Sequence, residues 1–172
     1  VLFEIVGGNG DDLREELDKG LIDVAILLEP IEIAKYDSYH LNINERWGII
    51  LPKNHALSSV NQITVDQLKS IPLVLSNRSI VQEDLKSWLG VSHDDLNIVA
   101  THTLLTNSLQ LLKEDIAYPI SIEGALLIRN DENVRFIPLH PERLSRHVLA
   151  WKKNQLMSPI TRIFIQHIND AQ

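Results

Sequence analysis

The chain has 172 residues, 44% of them apolar, which is enough to bury one large core or two smaller ones and excludes a disordered tail. It contains no cysteine, which rules out a disulfide framework, a thiolate zinc site, an iron–sulfur cluster and a cysteine nucleophile. The 16 basic against 23 acidic side chains give a net charge of −7, the wrong sign for a surface that clamps phosphate backbone. No apolar run is long enough for a membrane-spanning helix. The chain begins at Val1 with neither an initiator Met nor a signal-peptide core, so a piece of a longer chain is expected.

In chain order, Val1-Leu2-Phe3-Glu4-Ile5-Val6 reads as a strand. The turn Gly7-Gly8-Asn9-Gly10 leads to a helix over Asp11–Lys19, with Leu13 and Leu17 on one face and Gly20 as a stop. The nearly continuous apolar run Leu21–Leu28 suits a strand covered on both faces, and strand, helix and strand together predict a right-handed parallel crossover. Trp47–Leu51 reads as a strand stopped by Pro52, and Thr64-Val65-Asp66-Gln67 has the form of a capping box. Ile71–Leu75 predicts a buried strand, and Val81–Leu89 a helix ending at Gly90. Ile98–Ala100 predicts a strand, followed by a helix over Thr103–Lys113 with Leu105, Leu109 and Leu112 on one face. Strands at Ile116–Ile120 and Val134–Ile137 flank a short helix near Ile122–Leu127. Arg146–Trp151 reads as a last strand, and Ser158-Pro159 opens a closing helix expected to bury Ile160, Ile163, Phe164 and Ile168. Strands and helices alternate throughout, so the fold class is α/β. No linker of Gly, Ser and Pro separates two independent halves, which predicts two lobes exchanging strands with a cleft between them. Ligands of open α/β sheets bind beyond the carboxyl ends of the strands.

The residues offer no catalytic set and no metal site. His140 and His147 lack ligand spacing, no serine sits in Gly-x-Ser-x-Gly, and Gly90-Val91-Ser92-His93-Asp94 reads as a polar loop after a helix stop. The turn at Gly7, Gly8 and Asn9 opens a helix and reads either as a small-ligand turn or as a plain tight turn. Its dinucleotide fingerprint is incomplete, and Asp11 and Asp12 would repel a polyphosphate. The polar residues after two predicted strands are more informative: Ser76, Asn77 and Arg78 follow one, and Thr101, His102 and Thr103 follow the other. Ser and Thr there also fit helix capping. Capping does not call for a guanidinium, whereas a carboxylate ligand would use Arg78 bidentately.

In order and spacing these segments resemble the effector-binding domain of the LysR-type transcriptional regulators. Leu13 to Leu28 is similar to that family's helix and following Asp-hydrophobic-Ala strand. Leu51-Pro52-Lys53-Asn54-His55-Ala56-Leu57 is similar to its Leu-Pro, spacer, His-Pro-Leu segment, with Ala56 in place of Pro. Thr64–Leu75 resembles its short helix and strand, and Ser158–Ile168 its final helix. Where the family carries two glycines before a Leu-Pro strand end, this chain has Asp115 and Ala117.

The resemblance implies two Rossmann-like lobes joined by two crossover segments, like the type 2 periplasmic binding proteins. Lobe I would be residues 1–45 plus 139–172, lacking its opening strand and helix, and lobe II residues 46–138. It implies a small-metabolite effector, more anionic than cationic, bound in the interlobe cleft by Gly7, Gly8, Asn9, Ser76, Asn77, Arg78, Thr101, His102 and Thr103. It also implies a bacterial cytoplasmic regulator that is a homodimer or homotetramer and touches DNA only through an N-terminal winged helix-turn-helix outside this chain. No enzymatic activity, cofactor, metal or membrane contact is expected. The alternatives are a periplasmic-type solute receptor and an enzyme on the same fold. An upstream signal peptide would mark the receptor, and an upstream helix-turn-helix the regulator.

Overall fold

The computed structural model describes residues 2–127 and 131–171. The chain divides into two compact units, Val1–Asn44 with Arg146–Gln172, and Glu45–Ser145. The chain crosses from one to the other twice, within two long strands, β2 (Tyr36–Pro52) and β7 (Leu144–Lys152).

The first unit is built on helix α1 (Gly10–Lys19) and strand β1 (Ala25–Leu28). Asn9 starts α1 by accepting the amides of Asp11 and Asp12 on its side chain at 2.8 and 3.1 Å. Gly20, at φ +70°, ends it in a left-handed conformation that other residues adopt at a cost. Leu17 is fully buried and packs with Ala25, Leu27, Tyr36 and Ala150. The hydroxyl of Tyr36 donates to Asp18 Oδ1 at 2.9 Å, fixing the start of β2 beneath the helix. β1 pairs antiparallel with β7, Ala25 opposite Ala150 and Leu28 opposite His147. Helix α6 (Pro159–Asp170) closes the unit, capped by Ser158 with Pro at its first turn.

Four expectations for this unit are corrected. Val1 lies outside the described residues, and residues 2–9 form no strand. Leu2 and Ile5 are almost wholly exposed, because an apolar run becomes a strand only where a neighbour supplies hydrogen bonds and a face to cover. The parallel crossover is therefore absent, and β1 is antiparallel to its described neighbour. Nor is β1 covered on both faces, since Ile26 is half exposed between buried Ala25 and Leu27. Finally, α6 turns Thr161, Phe164, Ile165 and Ile168 inward, while Ile160 and Ile163 face solvent. Thr161 takes the inward position because its amide and hydroxyl both bond the Ser158 cap.

In the second unit the C-terminal half of β2 pairs antiparallel with β5 (Tyr118–Ile122) and with β6 (Val134–Pro138). Strand β3 (Leu73–Ser76) runs parallel to β5 on one side and to β4 (Ile98–His102) on the other. Helices α2 (Val65–Lys69), α3 (Ser79–Leu89), α4 (Leu109–Lys113) and α5 (Gly124–Leu127) connect the strands. The Thr64 to Gln67 capping box forms as expected. Ile49, Ile50, Leu51, Leu73, Val74 and Leu75 are buried, so β2 and β3 form the spine of this core.

The predicted helix over Thr103–Lys113 is a 3₁₀ turn at Leu105–Ser108 followed by the short α4. Polar side chains divert the backbone: Ser108 Oγ donates to the Leu105 carbonyl, and Asn107 Nδ2 donates to Thr103 Oγ1. At the departure from the family pattern, Asp115 stands at φ +57° with Tyr118 Oη donating to its carboxylate at 2.8 Å, and Ala117 is fully buried. Desolvation and that carboxylate push the Tyr118 hydroxyl up to about 12. The strand after it starts at Tyr118 rather than Ile116, which is exposed.

Gly48 is the tightest backbone approach in this core. An added Cβ would lie 2.5 Å from the Ile137 carbonyl oxygen and closer still to the Phe136 ring. Gly48→Ala is expected to destabilise the second unit by about 1–3 kcal/mol through overpacking, read as a lowered midpoint in urea with unchanged slope. A midpoint equal to wild type would show that β6 yields without cost.

Candidate functional site

β3 and β4 end side by side, and the polar residues predicted from sequence stand at those ends. Ser76 is the register partner of His102, and the Asn77 amide continues the ladder by donating to the His102 carbonyl at 2.9 Å. Paired residues of a parallel ladder project to the same face, so Ser76 and His102 share one face while Thr101, partner of Leu75, falls on the other. The chain then turns directly into α3. Arg78 is its N-cap, in extended backbone, with no capping bond from its side chain. The Arg78 amide donates to Ser76 Oγ at 3.3 Å, and the Arg78 carbonyl accepts the amides of Val81 and Gln82, both at 3.1 Å.

These bonds separate the residues by role. Ser76 bonds back into its own turn, and its carbonyl is held by Gln82 Nε2 at 2.7 Å. Asn77 is exposed, whereas Arg78 is buried at 9% exposure, an unusual setting for a guanidinium. Both ring nitrogens of His102 are buried and have no hydrogen-bond partner among the described residues. Burial lowers the pKa of the imidazole below its ordinary 6.5, so His102 is neutral near pH 7. Thr103 is exposed, and its hydroxyl accepts from Asn107 in the turn after β4.

Gly7, Gly8 and Asn9 belong to the first unit. Asn9 is spent on its own helix: its side-chain oxygen caps α1 and its Nδ2 donates to Asp12 at 2.6 Å. Nothing lies within 4 Å of a Cβ added at Gly7, and one at Gly8 would make only ordinary contacts with Leu13 and Asp12.

Two residues without a signature in the sequence hold the strand-end turn. Gln82 reads as a polar helix position, and no pattern announces that it anchors Ser76. Arg143 pairs with Asp84 of α3 and lies 5.8 Å from the Trp88 ring, gripping the helix from a residue 59 positions away. Among the described residues no group of three His, Cys, Asp or Glu side chains is placed to hold a metal, and no helix is long and apolar enough to cross a membrane.

A family model for the LysR substrate binding domain matches residues 1–172. The chain belongs to the LysR substrate-binding domain family. The CbnR LysR-family transcriptional regulator superposes with a TM-score of 0.76 at 16% identity, over 98% of this chain and 58% of that one. HinK, a LysR-family regulator from Pseudomonas aeruginosa, gives 0.72 at 17%, over 94% of this chain and 56% of that one. The effector-binding domain of QuiR, solved in complex with shikimate, gives 0.76 at 18%, over 95% of this chain and 78% of that one. This LysR-family domain thus spans little more than half the length of CbnR and HinK. No protein of curated function matches its sequence.

The state of His102 has a measurable consequence. Its folded pKa is depressed, so the unfolded chain takes up the proton first, and stability drops as pH falls below about 6.5. His102→Leu removes both the titration and the unsatisfied nitrogens. The variant is expected to match or exceed wild type at pH 7, and its advantage in melting temperature is expected to widen by pH 5. An advantage independent of pH would show that His102 is not buried neutral.

Proposed function

We propose that this LysR-family domain senses a small anionic metabolite, held in the second unit at the carboxyl ends of β3 and β4. The observation that carries the reading is the buried Arg78 at the β3–α3 turn, beside the paired Ser76 and His102. A guanidinium removed from water in a turn that needs no cation for capping suits a carboxylate or phosphate, which it binds through two parallel N–H bonds. Ser76, Asn77 and the neutral His102 supply hydrogen-bonding groups of lesser charge. Thr101 and Thr103 flank the end of β4, and Gly7, Gly8 and Asn9 stay as separate candidate ligand residues of the first unit. QuiR, whose effector domain shares this fold, is seen with shikimate.

The two units are read as regulatory lobes I and II, and the activity as binding rather than catalysis. In the whole protein, a bacterial cytoplasmic regulator, a separate winged helix-turn-helix carries the DNA contacts and the chains form a homodimer or homotetramer. Effector binding then shifts the population between two arrangements of the regulator, by no more than the difference in affinity for the two.

A thermal-shift screen of this domain against small carboxylates and phosphates tests the reading, because a ligand that binds only the folded state raises its melting temperature. A stabilising anion is expected, and Arg78→Ala is expected to weaken it at least tenfold by calorimetry, about 1.4 kcal/mol. Affinity unchanged in Arg78→Ala would remove Arg78 from the site.

A further inference from the structure

Arg143 holds helix α3 from outside it. Its guanidinium pairs with Asp84 and lies 5.8 Å from the Trp88 ring, so it grips two consecutive turns on one face of the helix. The side chain is partly buried, and its Nε, shut off from water, makes no hydrogen bond among the described residues. Asp84 is its polar partner there, and Trp88 covers its plane.

The same residue is fastened to both crossover strands. The Arg143 carbonyl accepts the Trp47 amide at 3.1 Å, and two residues later Ser145 Oγ accepts the Trp47 indole N–H at 2.7 Å. Trp47 lies on β2 and Ser145 on β7, close to where each strand leaves the second unit, and both are buried. This junction cannot swing open without leaving a buried indole N–H unpaired.

The contacts run without a break from the strand-end turn to that junction. Arg78 is the N-cap of α3, Gln82 ties the first turn of the helix to Ser76, and Asp84 and Trp88 join the helix to Arg143. Five residues of helix separate Ser79 from Asp84, roughly 7.5 Å of axial rise. Over that length a hydrogen-bonded helix moves as a unit, where a loop would absorb the motion.

We infer, on the strength of the effector-site reading above, that Arg143 is a positioning residue that transmits occupancy of the strand-end turn to the two crossover strands. An anion drawn to Arg78 shifts α3 against β3, and Arg143 passes the shift to the junction of Trp47 and Ser145. Without Arg143 the turn still holds the anion, but the junction no longer responds. A second route exists, since Trp47 is the register partner of Ile122 on β5, and β5 runs beside β3.

Inorganic phosphate at constant ionic strength is the probe, and the amide and indole N–H signals of a ¹⁵N-labelled domain are the readout. In wild type, millimolar phosphate is expected to move the Asn77 and Ser79 amides and the Trp47 indole along one binding curve. Arg143→Met keeps an apolar stem against Trp88, and Asp84→Ala places a strong helix former at a partly exposed helix position. In both variants the Asn77 and Ser79 amides are expected to follow phosphate still, while the Trp47 response shrinks at least threefold; Arg143→Lys, which retains the charge, is expected to restore part of it. An indole response that persists in both variants would assign the path to β5 and overturn the proposal. So would wild-type strand-end amides that move while the Trp47 indole stays still. Phosphate that moves neither set would instead overturn the effector-site reading, and the coupling with it.

Discussion

Burial of β3 between two parallel neighbours is the constraint on which the second unit depends. Leu73, Val74 and Leu75 are at most 2% exposed, so this strand cannot shift by one residue without turning its apolar set out of the core. That fixed register brings Ser76 beside His102 and lets the Asn77 amide reach the next strand's carbonyl. The polar turn therefore stands where the core places it, and its own hydrogen bonds only refine the position.

Helix α3, next in the chain, is held as firmly. It buries Val81, Leu85 and Leu89 and stops at Gly90 in a left-handed conformation. Gln82 ties its first turn to Ser76, and Arg143 ties its middle to Asp84 and Trp88. Arg143 belongs to the segment that leads into β7, and on β2 the Trp47 indole donates to Ser145 at 2.7 Å in a buried bond. The second unit thus joins its two crossover strands to each other where they leave it, and joins one of them to the helix that carries Arg78. Arg46 adds a bidentate pair with Glu123, both bonds at 2.9 Å, although half-exposed pairs of this kind contribute little stability and serve mainly to fix geometry.

Much of this architecture is legible in the sequence wherever local chemistry decides the outcome. The Thr64 capping box, the Gly20 and Gly90 stops and the Ser158-Pro159 helix start are set by side chains within a few residues of one another. The run of Leu73 to Leu75 marks the buried strand, and the polar residues after it mark the strand-end turn. Local patterns fail where distant partners decide. Leu2 to Val6 has the composition of a strand but pairs with no strand among the described residues, and Ile160 and Ile163 lose the inward face of α6 to Thr161. The polar first half of β2 carries no local signal because its strand character comes from pairing rather than from apolar periodicity. Gln82 and Arg143 show the same limit at the candidate site, since long-range anchors carry no local signature.

The central claim is that an anionic effector sits at the carboxyl ends of β3 and β4. Backbone amide shift mapping of the labelled domain, with the most stabilising anion from the thermal screen at saturation, tests it most directly. The account predicts that the largest shifts fall on Asn77, Arg78, Ser79, His102 and Thr103. Shifts that leave these amides unmoved and concentrate elsewhere in the domain would contradict it.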